Sequence, residues 1–245
     1  KIDLLTACDQ NLRRDPKVRL GMAFLNMSRV KISFASTDGA WIVQRRTYSG
    51  GGVKAYAFDA GEMQVRTYDN SRQAGFEFIR SLDLVKNSSR VAEEALALLA
   101  AKPCPAQKAT VILDSTQMVL QVHESCGHPT ELDRVLGTEA SYAGTSFMTV
   151  DKMGKLQYGS KLVNIVADAT VPGGLGTFGW DDEGVPAQRV YLIREGWFVG
   201  YQSSRETAPV IGATSSGAMR ASGWNRIPLI RMTNINLEPG DWKLA

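Results

Sequence analysis

Asp114-Ser115-Thr116-Gln117-Met118-Val119-Leu120-Gln121-Val122-His123-Glu124-Ser125-Cys126-Gly127-His128-Pro129 is the stretch on which the reading of this chain turns. Asp114 suits a helix N-cap, and Gln117 stands three residues on in the capping-box position. The helix that follows carries Met118, Val119 and Val122 toward a core and delivers His123 and Glu124 at its far end. Only two histidines occur in the 245 residues, and both fall in this stretch. Their pattern, H-E-x-x-x-H, is one residue longer than the H-E-x-x-H zinc signature. On an α-helix, positions i and i+4 lie roughly 40° apart, whereas i and i+5 lie roughly 140° apart. A regular helix therefore cannot aim both rings at one ion. Gly127 precedes His128 and Pro129 follows it, so the hydrogen-bond ladder breaks there. Either the helix ends near Gly127, or a π-type bulge gathers the two imidazoles. Neutral imidazole binds zinc and similar divalent ions, and a neighbouring carboxylate can take a proton from water. His123 and His128 are thus candidate metal ligands, with Glu124 a candidate general base, as in a metal-dependent peptidase. The blander account has one histidine capping a helix end and the other in the core. Both histidines clustering at one helix breaker favours the metal. Cys126 is expected to be a small buried residue rather than a third ligand.

Toward the N-terminus, residues 18–78 read as an antiparallel meander of short β-branched and aromatic runs separated by turn residues. Val30, Ile32 and Phe34 alternate with smaller or polar residues. Asp38-Gly39 signals a hairpin, with a return strand over 41–47. Gly50-Gly51-Gly52 and Ala60-Gly61 are read as further breaks before strands over 53–58 and 63–68. Ser88 or Ser89 is read as the cap of a helix over 90–101, ended by Pro103 and Pro105. Residues 109–113 form an apolar run suited to a buried strand.

Toward the C-terminus the chain becomes β-rich from Tyr158. Strands are expected over 162–166, 189–193 and 197–201, with Glu195-Gly196 turning between the last two, and 229–237 is also strand-like. The glycine-rich run 172–179 lacks the Gly-Lys-Ser/Thr ending of a phosphate loop and so is not a nucleotide site. It is either a loop lining a cleft or a plain linker. Asp181-Asp182-Glu183-Gly184 is either an oxygen-ligand cluster for a hard cation or a solvated turn.

Composition narrows the possible functions. With 44% hydrophobic residues the chain can bury a substantial core. Lys plus Arg number 28 against 25 Asp plus Glu, a balance that argues against a nucleic-acid partner. The pairs Arg13-Arg14 and Arg45-Arg46 are read as solvated faces. Cys8, Cys104 and Cys126 make an odd count without framework spacing, which fits a reducing, cytoplasmic setting. No stretch is long and apolar enough for a transmembrane helix.

The segment HESCGHPTELD (123–133) is similar to the metal-binding segment of the TldD/PmbA family of metallopeptidases. The resemblance extends through ELDRVLGTEASYAGTSF (131–147), NIVADATVPGGLGTFGWDDEGVPAQRVYLI (164–193) and RIPLIRMTNINLEPGDW (226–242). It covers essentially everything from Asp114 onward, and the N-terminal meander and helix look like the family's too. The chain resembles the motif-bearing, TldD-type subunit. That resemblance implies an α+β fold, with an N-terminal antiparallel sheet and helices over 1–157 and a β-rich, barrel-like portion over 158–245. It also implies zinc on His123 and His128, Glu124 as general base, and hydrolysis of peptide bonds in small or unfolded peptides. Assembly as a homo- or heterodimer with a TldD/PmbA-type subunit would enclose the cavity. The alternative is a non-catalytic regulatory or binding subunit, since members have been described as modulators of DNA gyrase; retention of Glu124 argues against it. Family members take a third metal ligand from a downstream cysteine, whereas no cysteine follows Cys126 here. The chain is therefore expected to be a fragment or a short member.

Overall fold

The computed structural model describes residues 1–242 and divides into two compact units. The first comprises Lys1–Val30 with Arg45–Thr110; the second comprises Lys31–Gln44 with Val111–Ala245. The change in composition at 157/158 falls inside the second unit, which also holds the histidine helix.

The first unit is built on a sheet of three long strands in the order β1-β2-β3: β1 (Val18–Ala35), β2 (Trp41–Asp59) and β3 (Glu62–Arg72). β2 and β3 pair antiparallel from Ser49↔Arg72 to Asp59↔Glu62. Their connection is Ala60-Gly61, both at positive φ (47° and 88°), the two-residue geometry that matches strand twist. Helices α1 (Ile2–Leu12), α2 (Phe76–Ser81) and α3 (Leu84–Leu99) complete the unit. Its core gathers Cys8 and Leu12 from α1, Val53, Ala55 and Ala57 from alternate positions of β2, and Leu84, Val91 and Ala95 from α3.

Three expectations are corrected here. Gly50-Gly51-Gly52 does not interrupt the sheet; it lies buried inside β2. A Cβ on Gly51 would stand 2.8 Å from Leu25 and 3.2 Å from Leu84, so glycine serves close approach rather than chain reversal. α3 begins six residues before the expected start, after Asp83 in a left-handed conformation (φ 46°). Ser88 is consequently inside the helix, and its hydroxyl donates to the Val85 carbonyl at 2.7 Å instead of capping. Residues 109–113 form no strand, and Ile112 is 98% exposed, because no neighbouring strand offers a ladder.

The second unit contains a four-stranded antiparallel sheet in the order β6-β5-β4-β9: β4 (Ile165–Asp168), β5 (Arg189–Arg194), β6 (Trp197–Phe198) and β9 (Asn234–Leu237). Glu195-Gly196 turns between β5 and β6 with φ of 50° and 81°. A separate pair joins β7 (Met219–Arg220) to β8 (Leu229–Ile230). The fold is α+β. Its C-terminal sheets do not close into a barrel among the described residues, since strands of two to six residues leave β6 and β9 as open edges. Ile165, Leu192, Ile193, Phe198 and Ile230 form the core, with Val122 and Cys126 packing in from the histidine helix. The β1–β2 hairpin tip belongs to this unit, where Gln44 exchanges hydrogen bonds with Gly179 and Trp180. No helix among the described residues is long and apolar enough to cross a membrane.

Candidate metal centre

The helix α4 (Ser115–Val122) starts as its sequence requires: the Asp114 carboxylate accepts from the Thr116 amide at 2.8 Å. Val122 is buried and Met118 packs against the core, whereas Val119 is 66% exposed. At His123 the helix loosens into a single π turn over His123–Gly127, closed by the His128 amide donating to the His123 carbonyl. This i→i+5 bond stacks residues five apart, as the H-E-x-x-x-H spacing needs. The two imidazole centroids stand 4.6 Å apart at an interplanar angle of 89°. One ligand atom each from His123, Glu124 and His128 lie within 4.8 Å of one another. Both His123 and Glu124 side chains are open to solvent.

A helix broken inside a protein leaves carbonyls without partners. Here Thr130 Oγ1 donates to the Cys126 and Gly127 carbonyls at 2.8 and 3.0 Å, and Gln202 Nε2 donates to the latter at 3.0 Å. Gly127 is required by packing: a Cβ there would strike the Met232 side chain. The break is therefore bonded at the Cys126 and Gly127 carbonyls and sterically specified at Gly127.

Sequence reasoning missed Glu131 and Arg134. Glu131 is fully buried at the bridge to Gln202. Its Oε2 lies 2.9 Å from His128 Nδ1 and 2.9 Å from an Arg134 guanidinium nitrogen, while its Oε1 accepts from the Met232 amide at 3.2 Å. A carboxylate only accepts, so the short contact places a proton on His128 Nδ1 and leaves Nε2 as the free lone pair. The Arg134 nitrogen 3.4 Å from Nδ1 is a neighbour rather than a competing donor. Arg134 is anchored in turn by the Ala143 carbonyl at 2.9 Å. The available signal was spacing: Glu131 and Arg134 follow His128 at i+3 and i+6.

Cys126, between the histidines, is buried, and burial pushes its thiol up to about 12. It packs as expected and makes no part of the donor cluster. The glycine-rich run lines a cleft, as one of its two readings held: Leu175 and Gly176 face a cavity of about 530 Å³ shared with His123 and His128. Asp181-Asp182-Glu183 is neither a cation cluster nor a solvated turn. Asp181 is 3% exposed, and its carboxylate accepts from the Glu183, Val185 and Met219 amides.

Two imidazoles and a carboxylate converging beside a cleft, with one ring fixed from behind, form a donor set suited to zinc and similar divalent ions. The site and fold define a helix-borne cluster of two histidines and a glutamate on an α+β frame. Residues 1–102 match the model of the PmbA/TldA metallopeptidase central domain, and residues 106–245 match that of the C-terminal domain. The chain belongs to the TldD/PmbA family. It is 39% identical over 191 residues to a metalloprotease of Methanocaldococcus jannaschii, covering 78% of this chain and 40% of that protein. In fold it resembles a Thermotoga maritima protein described as a candidate modulator of a DNA gyrase (TM-score 0.80, 22% identity, 98% of this chain and 52% of the other). It also resembles TldE from Thermococcus kodakarensis (TM-score 0.69, 16% identity, 100% of this chain and 54% of the other). The chain thus spans about half the length of the proteins it resembles.

Proposed function

We propose that the chain carries the catalytic centre of a zinc-dependent peptidase acting on small or unfolded peptides. The observation that supports this most is the π turn, which converges His123, His128 and Glu124 within 4.8 Å. His123 and His128 would hold the ion, and His128 presents Nε2 because Glu131 engages its Nδ1. A divalent ion there supplies Lewis acidity toward a peptide carbonyl and toward water. Glu124, exposed at the solvent edge and 3.9 Å from His123 Nε2, takes the proton of the attacking water and returns it to the leaving amine. The open cavity admits an extended chain, and the free edge of β9 offers main-chain pairing. Likeness in fold to TldE supports assembly with a TldD/PmbA-type subunit, and three unpaired cysteines suit a reducing cytoplasm.

The test is chelator-sensitive cleavage of casein or a peptide library by the zinc-loaded protein. Glu124→Ala should lower the rate at least about a hundredfold, the usual worth of a general base, while leaving the fold intact. Unchanged cleavage by that variant would remove Glu124 from the mechanism. Zinc binding without any cleavage would favour the regulatory-subunit alternative.

A further inference from the structure

The cavity beside the histidines has a charged wall that the hydrolytic chemistry does not use. Among its lining residues, Glu131 is matched by Arg134, and Arg231 is matched by Glu139 at 3.1 Å. Arg220 also lines the cavity and is exposed, and its side chain forms no ion pair or hydrogen bond with the described residues. One positive charge therefore faces the cleft without a partner. Glu124 is not among the residues lining this cavity, and the Asp182 carboxylate is engaged by the Ala221 amide at 2.8 Å.

The backbone that carries Arg220 is held by hydrogen bonds on both sides. It sits on β7 opposite Leu229 of β8. The amide before it, of Met219, donates to Asp181 at 3.1 Å, the amide after it, of Ala221, donates to Asp182, and the Met219 carbonyl accepts from the Asp182 amide at 3.1 Å. Asp181 and Asp182 thus clamp the backbone on both sides of one arginine. Such a support fixes a side chain's origin more tightly than a loop would.

We propose that Arg220 is an anion subsite of the cavity, binding a carboxylate of the peptide substrate; the inference rests on the peptidase reading above. A guanidinium pairs with a carboxylate through two parallel hydrogen bonds, and its weak hydration favours this in a partly enclosed cleft. A sphere of the cavity's volume is about 10 Å across, roughly three residues of extended chain. The recognised carboxylate is therefore within about three residues of the scissile bond. Both a peptide's C-terminal carboxylate and an Asp or Glu side chain at that spacing carry the required chemistry.

Three peptides of one otherwise neutral sequence, each carrying an uncharged BODIPY label, separate the sources: a free C-terminus, an amidated C-terminus, and an amidated peptide with one internal Glu. Binding is read by anisotropy on the zinc-loaded Glu124→Gln chain, and KM and kcat are read on the chain with Glu124 in place. At least one carboxylate peptide should bind about ten- to a hundredfold tighter than the neutral one, the range for a hydrogen bond to a charged group. Arg220→Met should abolish that preference through KM with kcat little changed, and Arg220→Lys should retain part of it. Whichever carboxylate peptide shows the preference names the source. Equal binding of all three peptides, or a preference that survives Arg220→Met, overturns the subsite. Preference without cleavage would sink the peptidase reading and keep the subsite; cleavage without preference would do the reverse.

Discussion

At the scale of single residues, the proposed site would depend on a buried carboxylate as much as on the exposed donors. Glu131 meets an imidazole, a guanidinium and an amide with its two oxygens, so none of its charge is left uncompensated. Removing such a partner of a metal-binding histidine typically costs ten- to a hundredfold in metal affinity. Glu131→Gln is therefore expected to weaken zinc binding about tenfold in competition with a chromophoric chelator, with circular dichroism unchanged. Affinity within twofold of the parent would show that Glu131 serves only the fold. The clustering of His123, Glu124 and His128 was legible because two histidines in one short segment are a strong signal. Glu131 and Arg134 were not, since an acid and an arginine three apart read equally well as a solvated helix turn. Only the fold buries Glu131, by bringing Gln202 and Met232 from distant sequence against it.

At the scale of elements, the π turn converts a spacing that an α-helix would waste into a convergent pair. Gly127→Ala should force Met232 aside or tighten the turn, costing about 1–3 kcal/mol as overpacking does. Zinc affinity should fall together with the urea midpoint; a variant with both unchanged would mean that the close packing of Gly127 does not hold the turn. Which of two ways the helix would break was open in the sequence. The choice rests on Thr130 and Gln202 satisfying the freed carbonyls, a long-range contribution no local pattern reveals. The same limit explains Gly50–Gly52, where the local signal says turn and the packing of Leu25 and Leu84 says strand. The turns at Ala60-Gly61 and Glu195-Gly196 were readable, because backbone handedness at a two-residue turn is a local property, and Asp38-Gly39 marked a longer loop over 36–40 in which only Gly39 is at positive φ. Residues 109–113 misled for the opposite reason: apolar composition marks a strand only where another strand is available to pair with it.

At the scale of the whole molecule, the chain passes between two separate cores within β1, within β2 and in the exposed, irregular segment 101–114, the last of which has no ladder to hold it. Exposed backbone without ladder bonds is where proteases enter. Limited trypsin treatment should cut first after Lys108, since the other lysine of the segment, Lys102, is shielded by Pro103; a first cut within either core would contradict this division. The histidine helix, β9 and the Arg220 mount all belong to the second unit, so the proposed centre and its cavity share one core. The central claim is that this unit gathers both imidazoles on a single ion. X-ray absorption at the zinc edge, on protein loaded with one equivalent, tests it most directly. The account predicts scattering from two imidazole rings per zinc at about 2.0–2.1 Å, falling to one ring in either His123→Ala or His128→Ala. Zinc bound with fewer than two imidazoles in the parent protein, or a spectrum indifferent to both substitutions, would contradict it.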